Sequence, residues 1–162
     1  MIYTTMIFGK TQERIIILDS YDFNSKILGK VFMFRFFDDA KNTYRNTYNI
    51  TFDKEAGKNL NILLEQLLLF ETANEYRKTI LLSNIKEGHF GIDFNQWEHR
   101  TWKKLKIVYN NNHDAGFFEE DEALTMRITK NEVSSLKNVL NFTHSYQQEQ
   151  SLSIGNNKLF VW

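Results

Sequence analysis

Residues 123–143 read ALTMRITKNEVSSLKNVLNFT, and this stretch decides the fold class. Its first six residues alternate, with Leu124, Met126 and Ile128 in one phase and Thr125 and Arg127 in the other, the period of a half-buried strand. The period then changes. After Thr129, a residue type that caps helices, Val133, Leu136, Val139 and Leu140 recur at helical spacing, so the sequence predicts a helix to about Thr143. A strand running through a cap into an amphipathic helix describes a sheet with a helix laid on one face.

The same grammar occurs once more upstream. Residues 43–52 read as a strand, Asp53 as a cap, and Ala56, Leu60, Leu63, Leu64 and Leu67 as the apolar stripe of a helix to about Phe70. Working outward, β-branched and aromatic runs at 1–8, 13–23 and 28–38 precede the first strand and helix, and runs at 78–85, 89–98 and 102–110 precede the second. One shift of 76 residues lays Val31 on Ile107, Phe52 on Ile128, Asp53 on Thr129, Leu60 on Leu136 and Leu64 on Leu140 without a gap. The expected fold is therefore α+β: two ββββα repeats, residues 1–76 and 77–150, forming an intramolecular pseudo-dimer of two antiparallel four-stranded sheets with one helix each. Residues 151–162 follow as a tail. Its apolar end, Leu159-Phe160-Val161-Trp162, is expected to dock on the body of the protein or add to a sheet edge, with a hook for a protein partner as the alternative.

Strand alternation sorts each repeat into two faces. Val31, Met33, Tyr48, Ile50, Phe52, Leu105, Ile107, Tyr109, Leu124, Met126 and Ile128 share the phase that meets the helices and form the expected core. The opposite phase mixes aromatic rings, cations and amides: Tyr21, Lys30, Phe32, Phe34, Arg45 and Asn49 in the first repeat, and Trp97, Lys104, Lys106, Thr125 and Arg127 in the second. Arg100, Trp102 and Lys103 extend the second set into a basic, aromatic hairpin around His99–Lys106. Such a hairpin equally serves to protect a sheet edge, and Phe32 and Phe34 equally suit burial against the other repeat.

Composition narrows the chemistry. The 162 residues carry 20 Lys+Arg against 20 Asp+Glu, so no global charge draws the chain to nucleic acid or to a membrane surface, and any such attraction must be local. With no Cys there is no disulfide, thiolate metal site or cysteine nucleophile, which fits a reducing cytoplasm. Met1–Phe8 is too short and polar to read as a signal peptide or a membrane span. The seven glycines are isolated and form no phosphate loop, and the four histidines are scattered, so the sequence reads as a non-enzyme with no cofactor and no metal. Fourteen Phe, seven Tyr and three Trp make 15% of a chain that lacks Pro altogether. Rich in Asn, Lys, Ile and Phe, it has the composition of an AT-rich genome, pointing to a phage or mobile element.

The paired strand, cap and helix pattern, with Leu124–Leu140 as its better example, resembles the Whirly, PC4-like and PUR-type single-stranded nucleic-acid-binding folds. All of these use ββββα units in pairs. The resemblance is one of topology and pattern; the closest local match to the signature strand of plant Whirly proteins, Gly29-Lys30-Val31-Phe32, is too short to transfer residue roles. It implies a non-catalytic protein that holds single-stranded DNA or RNA over its sheet surfaces; the rings and cations that strand phase and the basic hairpin offer for stacking and phosphate contact are Tyr21, Lys30, Phe32, Phe34, Arg45, Trp97, Arg100, Trp102, Lys103, Lys104, Lys106 and Arg127. The acidic run Glu119-Glu120-Asp121-Glu122 carries the alternatives: a solvated loop, a competitor for the basic face, or a contact for a protein partner. The second functional class is accordingly a protein-interaction module, such as an inhibitor of a nuclease or host defence complex.

Overall fold

The computed structural model describes residues 17–18, 29–69, 75–84, 99–146 and 150–161. Their order is β1 (Ile17–Leu18), β2 (Val31–Asp38), β3 (Thr43–Tyr44), β4 (Thr47–Phe52), α1 (Lys54–Leu69), β5 (Glu75–Leu81), β6 (His99–Thr101), β7 (Lys104–Tyr109), β8 (Gly116–Glu119), β9 (Ala123–Ile128), α2 (Lys130–Tyr146), β10 (Gln150–Ile154) and β11 (Asn157–Val161). The strands expected at 1–8 and 89–98, and all but Ile17–Leu18 of the one at 13–23, lie outside the described residues.

Both helices start at their predicted caps. Asp53 Oδ1 accepts the Ala56 N–H (2.9 Å), while its Oδ2 accepts the N–H of Lys30 (2.9 Å) and so ties the start of β2 to the start of α1. Gly29 makes this closure possible. It sits at φ 86°, and a Cβ there would stand 2.7 Å from the Ala56 nitrogen. At α2 the carboxylate of Glu132 reaches back to the Thr129 N–H (2.7 Å) and hydroxyl (2.5 Å), the reciprocal half of a capping box. Along α1, Ala56, Leu60, Leu63, Leu64 and Leu67 are buried; along α2, Val133, Leu136 and Leu140 are. The two helices pack on each other, with Lys137 and Glu65 paired at 3.2 Å.

Among the described residues the protein is α+β with two sheets and two helices, but the sheets are not the two antiparallel four-stranded ones expected. One has five strands in the order β1-β5-β7-β9-β8, and the other six, β10-β11-β4-β2-β3 with β6 also on β2. Three neighbouring pairs are parallel: β1 with β5, β7 with β9, and β11 with β4. The strand-to-helix segments repeat at the expected shift, β4–α1 matching β9–α2, yet their neighbours do not. β2 is antiparallel to β4, whereas β7, its expected counterpart, is parallel to β9.

The pairing identifies the units that correspond. β2 and β4 form a hairpin as β8 and β9 do, with Phe34 opposite Asn49 and Phe118 opposite Thr125. After α1 come the antiparallel β5 and β7; after α2 come the antiparallel β10 and β11. Each of these second pairs joins the sheet of the other unit, β7 beside β9 and β11 beside β4. Alternation fixes which face a residue takes but not which strand lies next to it. Here Leu105 and Ile107 extend the inner face beside Leu124 and Met126, and Leu159 and Val161 do so beside Tyr48 and Ile50.

All of these inner-face residues, with Val31, Met33, Tyr109 and Ile128, are buried in one cluster together with both helices; Phe52 is half-buried. Residues 159–161 of the apolar C-terminal segment thus belong to an internal strand of the six-stranded sheet, and Trp162 lies outside the described residues. Gly155, at φ 62° in the β10–β11 turn, lets that turn lie against the carbonyl of Ala115. Asn157 Nδ2 donates to Asn46 Oδ1, and Asn46 Nδ2 to the carbonyl of Asn156 (2.8 Å).

Candidate nucleic-acid interface

The inner face of the five-stranded sheet is apolar but for Lys78, and its outer face is cationic. Register sets out the outer residues in rows running across the strands: Arg77 beside Val108 beside Arg127, Thr79 beside Lys106 beside Thr125, and Leu81 beside Lys104 beside Ala123. On β8, Phe118 lies beside Thr125. The alternation that buries Tyr76, Ile80, Leu105, Ile107, Met126 and Ile128 turns these intervening side chains outward. Between the rows is an open depression of about 560 Å³ lined by Glu75, Arg77, Thr79, Lys106, Thr125 and Arg127 among others.

The cations differ in how far they are already neutralised. Arg77 gives two hydrogen bonds to Glu75 Oε2, at 2.7 and 3.0 Å, and Asn110 gives one to Glu75 Oε1 at 3.3 Å. Burial alone would raise the Glu75 pKa. The bonds from Arg77 and Asn110 and the charges of Arg77 and His113 outweigh it and hold the carboxyl below the ordinary range. Lys106 meets Glu120 at 3.9 Å with both side chains well exposed, a pairing of little strength in water. Arg127 faces the Phe118 ring at 4.4 Å, a contact that leaves its charge unneutralised. Phe118 is 46% exposed, and Lys104 stands exposed at the end of β7. Beneath them Lys78, on the inner phase of β5, is buried, and desolvation lowers its pKa.

A second group of cations surrounds the acidic turn between β8 and β9. Glu119 pairs with Arg35 (2.9 Å) and Arg100 (3.6 Å), Glu122 pairs with Lys103 (3.0 Å), and Arg100 also donates to the Glu120 carbonyl (2.8 Å). Arg35 lies over the Tyr48 ring (4.8 Å) and donates to the carbonyl of Arg45 (2.7 Å). Tyr48 in turn stacks on Phe117 at 4.1 Å. Desolvation raises the Tyr48 pKa, and the charge of Glu119 adds to the rise while those of Arg35 and Arg100 oppose it. This cluster joins the two sheets and spends most of its positive charge on its own carboxylates.

The residues singled out in the sequence therefore separate. Lys104, Lys106 and Arg127 come together on the outer face. Arg100 and Lys103 belong to the acidic cluster, and Trp102, 4% exposed, is packed against Tyr48 with its centroid 5.9 Å away. Phe32 and Phe34 are 2% and 1% exposed, so neither ring has a free face for a base. Lys30 is exposed beside the Asp53 cap, just before β2, and Arg45 is exposed near the Phe36 ring (5.9 Å), between β3 and β4. Tyr21 and Trp97 lie outside the described residues.

Arg77 and Phe118 belong to the face and were not foreseen. The strand containing Arg77 begins at Glu75, three residues ahead of its expected start, and Gly116-Phe117-Phe118-Glu119 is a strand short enough to pass for part of a loop. Arg35 was hidden in the apolar run of β2.

Among the described residues no group of three or more His, Asp or Glu is placed to hold a metal ion, and no helix is long and apolar enough to cross a membrane. The chain matches no protein-family model and no curated protein.

Proposed function

We propose that the protein is a non-catalytic single-stranded DNA- or RNA-binding protein, of a phage or mobile element, whose interface is the outer face of the five-stranded sheet. One observation carries this reading: Arg77, Lys104, Lys106 and Arg127 share one open sheet face with the exposed ring of Phe118. Phosphate neutralisation supplies affinity through counterion release, and a ring beside the cations gives a base somewhere to stack. Duplex fits less well. A ring stacks on a base whose face is free, which an opened strand offers to Phe118 and a base-paired stack does not.

Fluorescence anisotropy with labelled oligo(dT) at two salt concentrations tests the reading. Binding is expected at low salt and weakens as salt rises. Lys106→Glu should cost about tenfold or more in affinity, while Arg45→Glu, on the other sheet, should leave it nearly unchanged. Affinity no better than about millimolar at low salt removes the reading. Leu81, 75% exposed on the same face, favours a second one in that event: docking of an acidic protein surface, as in an inhibitor of a nuclease or defence complex.

A further inference from the structure

The acidic neighbours of the outer face divide its cations into spent and available charge. Arg77 is held by Glu75 through two hydrogen bonds at 2.7 and 3.0 Å to a carboxylate that is itself fixed by Asn110. Among the described residues Lys106 has only the loose 3.9 Å approach of Glu120 and Arg127 only the Phe118 ring, and Lys104 is exposed at the end of the same strand as Lys106. Three cations are therefore free to exchange their surroundings for phosphate.

Their spacing follows from sheet geometry. Lys104 and Lys106 are two residues apart on β7, about 7 Å. Lys106 is level with Thr125, so Arg127 is its diagonal neighbour on β9, about 7–8 Å away. Each step matches roughly one nucleotide of extended backbone. The line bends toward β9, and on the far side of β9 lies Phe118, level with Thr125 and under the guanidinium of Arg127.

Resting on the single-strand reading above, we infer that the face takes three consecutive phosphates of a single strand. The backbone lies over Lys104 and Lys106 and turns onto Arg127, and one base is received by Phe118 and the Arg127 guanidinium. Arg77 is a supporting charge rather than a contact. The occupant is thus a stretch of about three to four nucleotides with a single stacked base, sensed through backbone and ring and not through a base-edge code.

A length series of oligo(dT), from two to ten residues, measured by competition against one labelled probe over a range of salt, tests this. Affinity should climb to about four nucleotides and then rise only by the statistical factor for extra registers. The logarithmic salt slope should be about −2, three phosphates at about −0.7 each. Phe118→Ala and Phe118→Leu should each weaken binding about five- to hundred-fold, the leucine variant keeping the bulk while removing the π face. A plateau beyond eight nucleotides, a slope steeper than about −4, or a Phe118→Leu protein that binds as well as the parent overturns the three-phosphate path while the single-strand reading stands. Failure of every length to bind at low salt overturns both.

Discussion

Position for position the two sheets carry matching hairpins with opposite fates. Phe34 on β2 and Phe118 on β8 hold corresponding places, yet Phe34 is 1% exposed and Phe118 46%. Across from them Asn49 and Thr51 are buried on β4, while Thr125 is half-buried and Arg127 exposed on β9. The six-stranded sheet is closed on both faces of β2, and the five-stranded sheet is closed on one. The residue runs account for the difference. β2 reads VFMFRFFD, an apolar run with aromatics in both phases, as strands covered on two sides do; β7 and β9 read KLKIVY and ALTMRI, apolar in one phase and largely polar or charged in the other. Shared topology thus gives two sheets, and among the described residues side-chain chemistry leaves one of them an open face of exposed cations.

Removing residues 158–162 should break this arrangement most severely. The cut takes out most of β11, whose Leu159 and Val161 are fully buried between β10 and β4, and the loss of two such side chains at about 1.5–3 kcal/mol each comes with the loss of a strand ladder. Thermal melting should fall by tens of degrees, or the protein should fail to fold; unchanged melting would show that the segment is not part of the sheet.

Truncating the two corresponding phenylalanines tests the comparison directly. Phe34→Ala should cost about 3–5 kcal/mol in denaturant melts, as large cavities do. Phe118→Ala should cost under about 1 kcal/mol, because its ring is already half in water. Equal costs would mean that the two faces are alike.

Acid should reach the open sheet through Glu75. Because its folded pKa lies below the ordinary value, its contribution is complete above the unfolded pKa of about 4.3 and is lost as pH falls through the lower folded value. Glu75→Gln should flatten the stability profile in that window by about 0.2–1 kcal/mol, the scale of a partly exposed pair. A profile that the substitution does not alter would remove Glu75 from the account. The smallest effect is expected at the acidic turn. Glu120→Gln frees Lys106 from its 3.9 Å partner and should raise oligo(dT) affinity about two- to threefold at low salt, and not at high salt.

Much of this organisation was legible in the residues. The helices, their caps and the phase of β2, β4, β7 and β9 followed from periodicity, because burial imposes that period locally. Strand neighbours did not. Nothing within residues 104–109 says that β9 lies alongside rather than β8, since the choice is made by which apolar faces meet over distance in the chain. The C-terminal hairpin was written more plainly: Leu152, Ile154, Leu159 and Val161 keep strand phase about a two-residue Gly155-Asn156 turn, a hairpin signal that the polar residues between them obscure. On the outer face, Lys104, Lys106 and Arg127 share one phase, as expected, because they lie on strands with clean alternation. Phe32 and Phe34 misled because the same alternation continues when both faces are covered.

The exchanged hairpins also govern how the chain comes into being. Thr47 has no parallel neighbour until Lys158 has been made, so the six-stranded sheet closes only after residues 158–161 are in place. Until that strand is available the edge of β4 stays unpaired, whereas every described strand of the five-stranded sheet lies at or before Ile128 and can pair earlier. A chain cut between α1 and β5 would yield two pieces, each holding strands the other sheet requires, and these should regain structure only when mixed.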